Sequence, residues 1–171
     1  LGVDPGTLAR GARMYAGIAR RFDRILTKRG ITVIDDYAHN PDKVRAALAA
    51  ARRLAPRLHA LFQPHGFAPA RFMLEDLSTA FNDMLREGDT LYVLPIYYAG
   101  GTTRKDISSR DIARRLQRCA ADVRAPADRD EAVEDVARRA EAGDAVISMG
   151  ARDPSLPEFA ARIAAAIDRA P

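Results

Sequence analysis

The sequence has a single cysteine, no tryptophan and no long apolar run. With Cys119 alone, a disulfide within the chain and a cysteine-rich zinc site are both excluded, and no metal site is predicted. No stretch approaches the roughly 18 consecutive apolar residues that span a bilayer, and no secretory signal pattern is present. These absences predict a soluble, cytoplasmic protein without a membrane partner.

Two glycine-rich nucleotide motifs are also missing. The sequence contains no Gly-x-x-x-x-Gly-Lys-Ser/Thr loop, which cradles the phosphates of ATP in P-loop enzymes. No Gly-x-Gly-x-x-Gly follows the first predicted strand, which argues against a dinucleotide-dependent oxidoreductase. We therefore do not expect this chain to turn over ATP by itself.

The charge is basic, with a formal net charge of +4 and a pI near 9.6. A basic chain can attract nucleic acid. The arginines, however, recur at helical spacing among acidic residues, as in Arg110, Arg114 and Arg118, which is typical of solvated helix faces. No nucleic-acid partner is predicted.

Strand-like and helix-like segments alternate along the chain. The turn residues Arg29 and Gly30 separate the first two strand-like runs and indicate a hairpin. The predicted strands are 22–28, 31–36, 58–62, 90–95, a short one near Val123, and 145–149. The predicted helices are 5–16, 40–54, 74–85, 107–117, 128–140 and 157–167.

This order predicts an α/β fold: a Rossmann-like three-layer sandwich around a mostly parallel sheet of about six strands, with an initial hairpin strand. The first helix lies outside the alternation, and the chain does not begin with methionine. We expect residues 1–19 to be the end of a preceding domain or a linker, and residues 20–171 to form one domain.

Ligands of an open parallel sheet gather beyond the carboxyl ends of its strands. That rule selects the loops 35–41, 63–71, 95–106 and 150–157. In the first loop, a carboxylate at the strand end could accept hydrogen bonds from ribose hydroxyls, and the helix N-terminus at Asn40 suits an anion. The alternative is that Asp35 and Asp36 only cap the loop and that His39 is an ordinary loop histidine.

Several strings resemble one family in order along the chain. Asp-Asp-Tyr-Ala-His-Asn-Pro at 35–41 resembles the motif that opens the C-terminal domain of the Mur ligases, which add amino acids to UDP-N-acetylmuramic acid in peptidoglycan synthesis. Residues 17–23 resemble the Gly-x-x-Arg-Arg-Phe segment that joins the central and C-terminal domains of that family. The strings at 62–65, 96–100 and 143–151 are similar to the branch that adds L-alanine to UDP-N-acetylmuramate.

The resemblance implies an ATP-dependent acid–amino-acid ligase. In this family ATP activates a carboxylate to an acyl phosphate, which the amine of an amino acid attacks. A central domain supplies the P-loop and the magnesium ligands, and the C-terminal domain closes over the nucleotide and brings the amino acid. The implied partners are the missing N-terminal and central domains, a UDP-muramyl substrate, and an amino acid or peptide. Residues 1–19 would then end the central domain.

Site residues follow from the resemblance position by position. Those expected to bind the nucleotide are Arg21, Asp36 and Asn40. Those expected to bind the other substrates are Tyr37, His39, His65, Arg71 and Tyr97. A neutral His39 would be the catalytic base that takes a proton from the amine.

The chain departs from the L-alanine-adding branch in places. Gly66 and Pro69 replace two arginines that grip the amino-acid carboxylate, and Arg71 lies nearby in a different register. Ala38 and Asn40 replace a glycine and a histidine, and Arg152 replaces a glycine. These changes predict a paralogue that joins a different amino acid or a peptide.

Two alternatives remain open at the level of sequence. The chain could be a binding module that kept the fold and lost catalysis, as the replacements at Gly66 and Pro69 suggest. The loop 100–105, with two glycines, two threonines, Arg104 and Lys105, could bind an anion or be a mobile surface loop.

Overall fold

The computed structural model describes residues 2–15, 17–116 and 118–170. Two predicted helix ends, Ala16 and Gln117, lie outside the described residues, as do the terminal residues Leu1 and Pro171. The strands are β1 (Asp23–Leu26), β2 (Thr32–Asp36), β3 (Leu58–Gln63), β4 (Thr90–Val93), β5 (Asp122–Arg124) and β6 (Ala145–Gly150). The helices are α1 (Pro5–Met14), α2 (Pro41–Arg52), α3 (Phe67–Phe72), α4 (Leu74–Met84), α5 (Ser109–Arg115), α6 (Arg129–Arg139) and α7 (Leu156–Arg169).

The strands form one sheet in the order β1-β2-β6-β3-β4-β5. β1 and β2 are antiparallel, and every other pair is parallel. The predicted α/β class, the hairpin and the six-stranded sheet are confirmed. β1 is shorter than the predicted run 22–28, because Phe22 has a φ of 55° and the hairpin turn begins at Thr27, whose backbone NH donates to the Ile31 carbonyl at 3.0 Å.

Helices cover both faces of the sheet, as the alternation along β6 shows. Ala145, Ile147 and Met149 pack on the side of α2, α4 and α5, whereas Val146 packs on the side of α6 and α7. The chain runs outward from β2 through β3 and β4 to β5 and then returns to place β6 between β2 and β3. With right-handed crossovers, reversing the direction moves the helices to the other face. The loop after β6 therefore leaves the sheet on the opposite side from the loops after β2 and β3.

Helix α3 corrects the prediction of a loop over 63–71. Gly66 precedes the helix with a φ of 70°, and a Cβ there would lie 3.2 Å from the Pro69 Cδ. Pro69 stands in the first helical turn, where the missing backbone NH has no intrahelical partner to lose. In the sequence alone, a proline at this position indicates a break in a helix, so the sequence does not predict α3.

Helix α1 stands apart from both cores. It buries none of its residues, and Leu8 and Met14 are 60% and 84% exposed. The boundary predicted near Ala19 stays a prediction.

The amino ends of β3 and β6 are joined by a buried carboxylate, Asp144. It accepts hydrogen bonds from Arg57 Nη2 at 2.7 Å, His59 Nε2 at 3.2 Å and the Glu141 backbone NH at 2.8 Å. Burial pushes the Asp144 pKa upward, but the hydrogen bonds from Arg57 and Glu141 outweigh burial and leave the pKa lowered. The cluster lies at the edge of the sheet opposite the predicted ligand loops.

Replacing this carboxylate should destabilise the fold. We expect Asp144→Ala to lower the free energy of unfolding by about 3 kcal/mol, because the buried His59 imidazole loses its partner and the half-buried Arg57 guanidinium keeps only the exposed Glu141. Urea unfolding of the 171-residue chain measures the change. Asp83→Ala is the matched control: its side chain is 54% exposed beside Arg45, so we expect a change within about 0.5 kcal/mol. Equal losses in the two variants would contradict the role given to Asp144.

The same cluster makes stability depend on pH. Burial lowers the pKa of His59 below its ordinary 6.5, against the opposing effect of Asp144. The unfolded chain therefore binds a proton at His59 at a higher pH than the folded chain, and stability is lost as pH falls below about 6.5. Unfolding midpoints at about pH 7.5 and 5.5 should differ more in the wild type than in His59→Gln. An unchanged pH difference in that variant would show that His59 is not responsible.

Candidate functional site

The carboxyl ends of β2, β6 and β3 lie side by side at one edge of the sheet. Asp36 pairs in register with Met149, and Gln63 pairs with Gly150. A Cβ on Gly150 would lie 2.9 Å from Leu156 Cδ1 and 3.2 Å from the Gln63 carbonyl. Glycine therefore lets β3 and the start of α7 approach this closely without displacing either. The loops that follow the three strands form the candidate site.

Asp36 fixes the segment that enters the domain. Its Oδ2 accepts a hydrogen bond from the Phe22 backbone NH and its Oδ1 accepts one from the Ala38 backbone NH, both at 2.8 Å. Each oxygen of an ionised carboxylate has a second lone pair. Asp36 can thus hold the backbone and still accept a hydrogen bond from a ligand.

Arg20, which was not among the predicted site residues, ties the same segment to two strand ends. Its Nη2 donates to the Gly150 carbonyl at 2.8 Å, its Nε lies 3.4 Å from Asp35 Oδ2, and its guanidinium lies 4.9 Å from the centre of the Tyr37 ring. Burial raises the pKa of Asp35, and Arg20 opposes that rise. Both Arg20 and Phe22 have left-handed backbone conformations, which these contacts stabilise.

A first cavity of about 350 Å³ opens between this segment and α2. Arg21 and Lys43 supply exposed cations, Asp36 supplies a carboxylate, and the rings of Phe22 and Tyr37 supply flat apolar surface. The remaining lining residues are Ala38, Ala46, Ala47 and Ala50. Arg21 and Asp36, predicted from sequence to bind a nucleotide, thus share one cavity.

Asn40 is the N-cap of α2. Its side-chain oxygen accepts the Lys43 backbone NH at 3.0 Å, and Pro41 occupies the first helical position. The amide oxygen is therefore engaged in capping, and the side-chain NH₂ of Asn40 is the group left to meet a ligand.

Three predicted rings form a row across two loops. Tyr37 and His39 pack edge to face with their centres 5.4 Å apart, and His39 packs the same way against His65, also at 5.4 Å. His39 Nδ1 lies 2.8 Å from the Tyr37 carbonyl. Because a carbonyl oxygen only accepts, Nδ1 must carry a proton, and in the neutral ring Nε2 is left as an acceptor.

His65, the last ring of the row, also lines a second cavity of about 300 Å³. Burial lowers the pKa of His65, and the nearby His39 and Arg152 lower it further. Tyr97, another predicted residue, is adjacent, because its backbone NH donates to the Pro64 carbonyl and its carbonyl accepts the Gly66 NH, both at 2.8 Å. The second cavity is lined by His65, Gly66, Pro69, Tyr97, Tyr98, Ala99, Gly100, Thr103 and Arg152.

Arg71 is placed differently from the other predicted residues. Its guanidinium pairs with the Asp106 carboxylate and donates to the Arg104 carbonyl at 3.1 Å, and Arg71 does not line the second cavity. The two alternatives that the sequence left open for the loop 100–105, anion binding or a mobile surface loop, both stay open. Thr103 lines the cavity, whereas the Arg104 side chain is 85% exposed.

A polar network beneath the loops was also missed from sequence. Arg129 donates to Ser155 Oγ at 2.8 Å and pairs with the Asp153 carboxylate and the Gln63 side-chain oxygen. Gln63 in turn donates to the Pro95 carbonyl at 3.2 Å. The network joins the loops after β3, β4 and β6. The sequence around Arg129 does not indicate its part in the network, because an arginine in the first turn of a helix is usually solvated.

Two kinds of feature are absent from the described residues. Within the described ranges, no group of three or more His, Cys, Asp or Glu side chains is arranged to hold a metal ion. Among the same residues, no helix combines the length and the apolar character needed to cross a membrane.

Comparison with known proteins agrees with the sequence motifs. The family described as "Mur ligase, glutamate ligase domain" matches residues 20–152. The UDP-N-acetylmuramate–L-alanine ligase of Gloeobacter violaceus is 36% identical over 151 residues, which are 88% of this chain and 32% of that protein. The chain thus spans about a third of the length of the relatives it matches, and the predicted resemblance to the L-alanine-adding branch is confirmed.

Solved structures show the same fold. The UDP-N-acetylmuramate-alanine ligase MurC of Thermotoga maritima superposes with a TM-score of 0.65 at 20% identity, covering 95% of this chain and 33% of that one. The MurF ligase of Thermotoga maritima, solved in complex with ADP, has a TM-score of 0.61 at 19% identity, covering 98% of this chain and 34% of that one. The chain belongs to the Mur ligase family, whose glutamate ligase domain it matches.

Proposed function

We propose that this chain is the C-terminal lobe of an ATP-dependent ligase that joins a UDP-N-acetylmuramate-type carboxylate to an amino acid or peptide, in peptidoglycan synthesis or recycling. The observation that carries the proposal is the pair of cavities at one sheet edge. One combines Arg21, Lys43 and Asp36, the other adjoins His65, and the row Tyr37-His39-His65 runs between them. A site for a nucleotide beside a site for an amine is what such a ligase requires.

The first cavity fits the nucleotide. The unused lone pairs of Asp36 suit ribose hydroxyls, the Arg21 and Lys43 cations suit phosphate oxygens, and the Phe22 and Tyr37 rings suit the face of a base. Asn40 would add its side-chain NH₂. ATP supplies the phosphoryl group that activates the carboxylate. In the described part of the chain no group of three or more His, Cys, Asp or Glu side chains is arranged to hold a metal ion, and we assign magnesium to the central domain of the full-length protein.

The second cavity and the row of rings serve the amine. His39 Nε2 is the acceptor that would take the proton of the attacking amine, because Nδ1 is committed to the Tyr37 carbonyl. The lowered pKa of His65 keeps that ring neutral at pH 7, so that it does not repel an ammonium group. Tyr97 lines the second cavity, Tyr37 lies at the other end of the row beside the first cavity, and Arg71 would act only if it left Asp106.

The chain alone should be inactive, because the P-loop is absent from it. We propose that the N-terminal and central domains complete the site and that the exposed apolar side chains of α1, such as Leu8 and Met14, pack against them. We also propose a cytoplasmic location, where ATP is supplied. The alternative hypothesis is a lobe that binds nucleotide without catalysis. The experiments below distinguish this hypothesis from the ligase.

Arg21 provides a test of the nucleotide side. In the full-length protein we expect Arg21→Gln to raise the KM for ATP about 10-fold, because one charge-assisted contact to the nucleotide is lost. Arg21 is exposed, so folding should be unaffected. Arg24→Gln, which removes another exposed arginine three residues away, is the control and should leave the KM unchanged. Steady-state phosphate release with a UDP-muramyl acceptor measures both. An unchanged KM and kcat in Arg21→Gln would remove Arg21 from the site.

His39 provides a test of the amine side. We expect His39→Gln in the full-length protein to lower kcat about 100-fold near pH 7.5. The loss should shrink at about pH 9.5, where more of the amine arrives without its proton. His59→Gln, which changes a histidine of the opposite edge, should keep its kcat while folded. A loss in His39→Gln that is the same at both pH values would argue against proton transfer. ATP binding without turnover in the wild type would favour the non-catalytic reading.

A further inference from the structure

Arg20 is a residue of the entering segment, residues 17–22, whose side chain turns into the domain. Its neighbours Ala19 and Arg21 are exposed, whereas the Arg20 side chain is only 16% exposed. The guanidinium reaches the loop after β6, where Nη2 donates to the Gly150 carbonyl at 2.8 Å and Nη1 donates to the Asp153 carbonyl at 3.4 Å. Arg20 therefore joins the segment that lines the first cavity to the loop that borders the second.

The Arg20 guanidinium is also the partner of a buried carboxylate. Asp35 is 4% exposed, its Oδ2 lies 3.4 Å from the Arg20 Nε, and its Oδ1 has no hydrogen-bond partner among the described residues. The hydroxyl of Ser148, which pairs in register with Asp35 on β6, is enclosed and equally without a partner there. A buried carboxylate costs free energy unless it is paired. Arg20 and Asp35 therefore hold each other in place at the end of β2.

Arg20 reaches the proposed base through Tyr37. The guanidinium lies 4.9 Å from the centre of the Tyr37 ring, and the Arg20 carbonyl accepts the Tyr37 backbone NH at 2.8 Å. Tyr37 in turn orients His39 in two ways. Its ring packs edge to face on the imidazole with the centres 5.4 Å apart, and its carbonyl oxygen lies 2.8 Å from the imidazole Nδ1. Since Tyr37 is 39% exposed, the guanidinium supports a ring that solvent leaves free on other sides.

The backbone at Arg20 distinguishes what the side chain does from what the main chain does. Its φ is 60°, a left-handed conformation that glycine adopts freely and that a Cβ disfavours. Two bonds that involve no Arg20 side-chain atom hold the segment on the loop after β2: the Tyr37 NH donates to the Arg20 carbonyl, and the Phe22 NH donates to Asp36, both at 2.8 Å. The side chain adds the contacts to Asp35, the Tyr37 ring and the loop after β6, and these offset the disfavoured φ.

We propose that Arg20 is a positioning residue for the proton transfer: it holds Tyr37, and through Tyr37 the His39 ring, at a fixed place relative to the loop after β6. This inference rests on the proposed function and adds to it a residue that lines neither cavity. A displacement of about 1 Å between reacting groups can cost on the order of 100-fold in rate. Arg20 therefore affects the chemical step, whereas Arg21 and Asp36 contact the nucleotide.

The test separates kcat from KM in the full-length protein. We expect Arg20→Gln to lower kcat about 10-fold and to keep the KM for ATP within about 2-fold, because the two backbone bonds of the segment remain. Arg20→Lys should lose only about 3-fold in kcat, since it returns the charge to Asp35 without the planar face that stacks on Tyr37. Arg24→Gln, which changes an exposed arginine of β1, should leave kcat unchanged. An unchanged kcat in Arg20→Gln overturns the proposal, and so does a loss confined to the KM for ATP.

Two double variants distinguish positioning from a general loss of structure. If Arg20 acts through His39, adding Arg20→Gln to His39→Gln should lower kcat further by less than about 2-fold, whereas effects that multiply contradict the proposal. Arg20→Gln combined with Asp35→Asn leaves no unpaired buried charge, so this variant should unfold near the wild-type temperature. Its kcat should show the same loss as Arg20→Gln alone. A wild-type kcat in this pair would assign the loss to the unpaired Asp35 and overturn the role of Arg20.

A spectroscopic measurement separates this inference from the proposed function. Absence of ATP-dependent phosphate release with every acceptor would overturn the ligase activity. The nitrogen NMR spectrum of the histidine-labelled full-length protein, with the His39 signals identified by their loss in His39→Gln, would then still decide the positioning. A neutral His39 that carries its proton on Nδ1 in the wild type and becomes a mixture of both tautomers in Arg20→Gln supports the proposal. The same tautomer populations in both proteins reject it.

Discussion

The insertion of β6 between β2 and β3 is the constraint on which the site depends. β6 pairs in parallel with both neighbours, so the ends of three strands meet at one edge. The connections after β2 and β3 turn to one face and the connection after β6 turns to the other, which leaves a crevice between them. Gly150 must lack a side chain for this arrangement, since Gln63 and Leu156 occupy the space a Cβ would take. The second cavity lies at this crevice, since His65 and Arg152 both line it, whereas the first cavity lies between the entering segment and α2.

Ion pairs then hold the loops of the crevice in place. Arg20 connects the entering segment to the ends of β2 and β6, and Arg129 connects the ends of β3 and β6 from below. Both are half-buried, so removal of either would leave a carboxylate or a carbonyl unsatisfied in a region of low dielectric. Because Arg20 stacks on Tyr37, the position of the entering segment is coupled to the row of rings. A movement of that segment in the full-length protein would therefore shift Tyr37 and, through it, the His39 ring.

The sequence predicted the sheet, which is confirmed, and it predicted a site at the carboxyl ends of the strands, which stays a prediction. These predictions depend on features that are local in the sequence. The apolar runs predict the strands, and the rule on the carboxyl ends of strands selects the loops that contain His39 and His65, whose rings pack together. What it could not show are contacts between residues far apart in sequence. Arg20 meets Asp153 and Gly150 across more than 100 positions, and Arg129 meets Gln63 across 66. Helix α3 is not predicted for a different reason: neither the positive φ of Gly66, which precedes the helix, nor the place of Pro69 in its first turn is visible in composition.

The arginines of this edge illustrate how one residue type serves structure and recognition in the same place. A guanidinium enclosed with a carboxylate has its donors filled and contributes rigidity, as Arg129 does with Asp153, where burial pushes the carboxylate pKa upward and the bonds from Ser155 and Arg129 bring it below its ordinary value. A guanidinium without such a partner retains its donors for a ligand. Arg152, which has no ion pair with any of the described residues, directly precedes Asp153 of the rigid network in the chain. The network thus fixes the backbone on both sides of Arg152, and this is why a disfavoured φ can be maintained there.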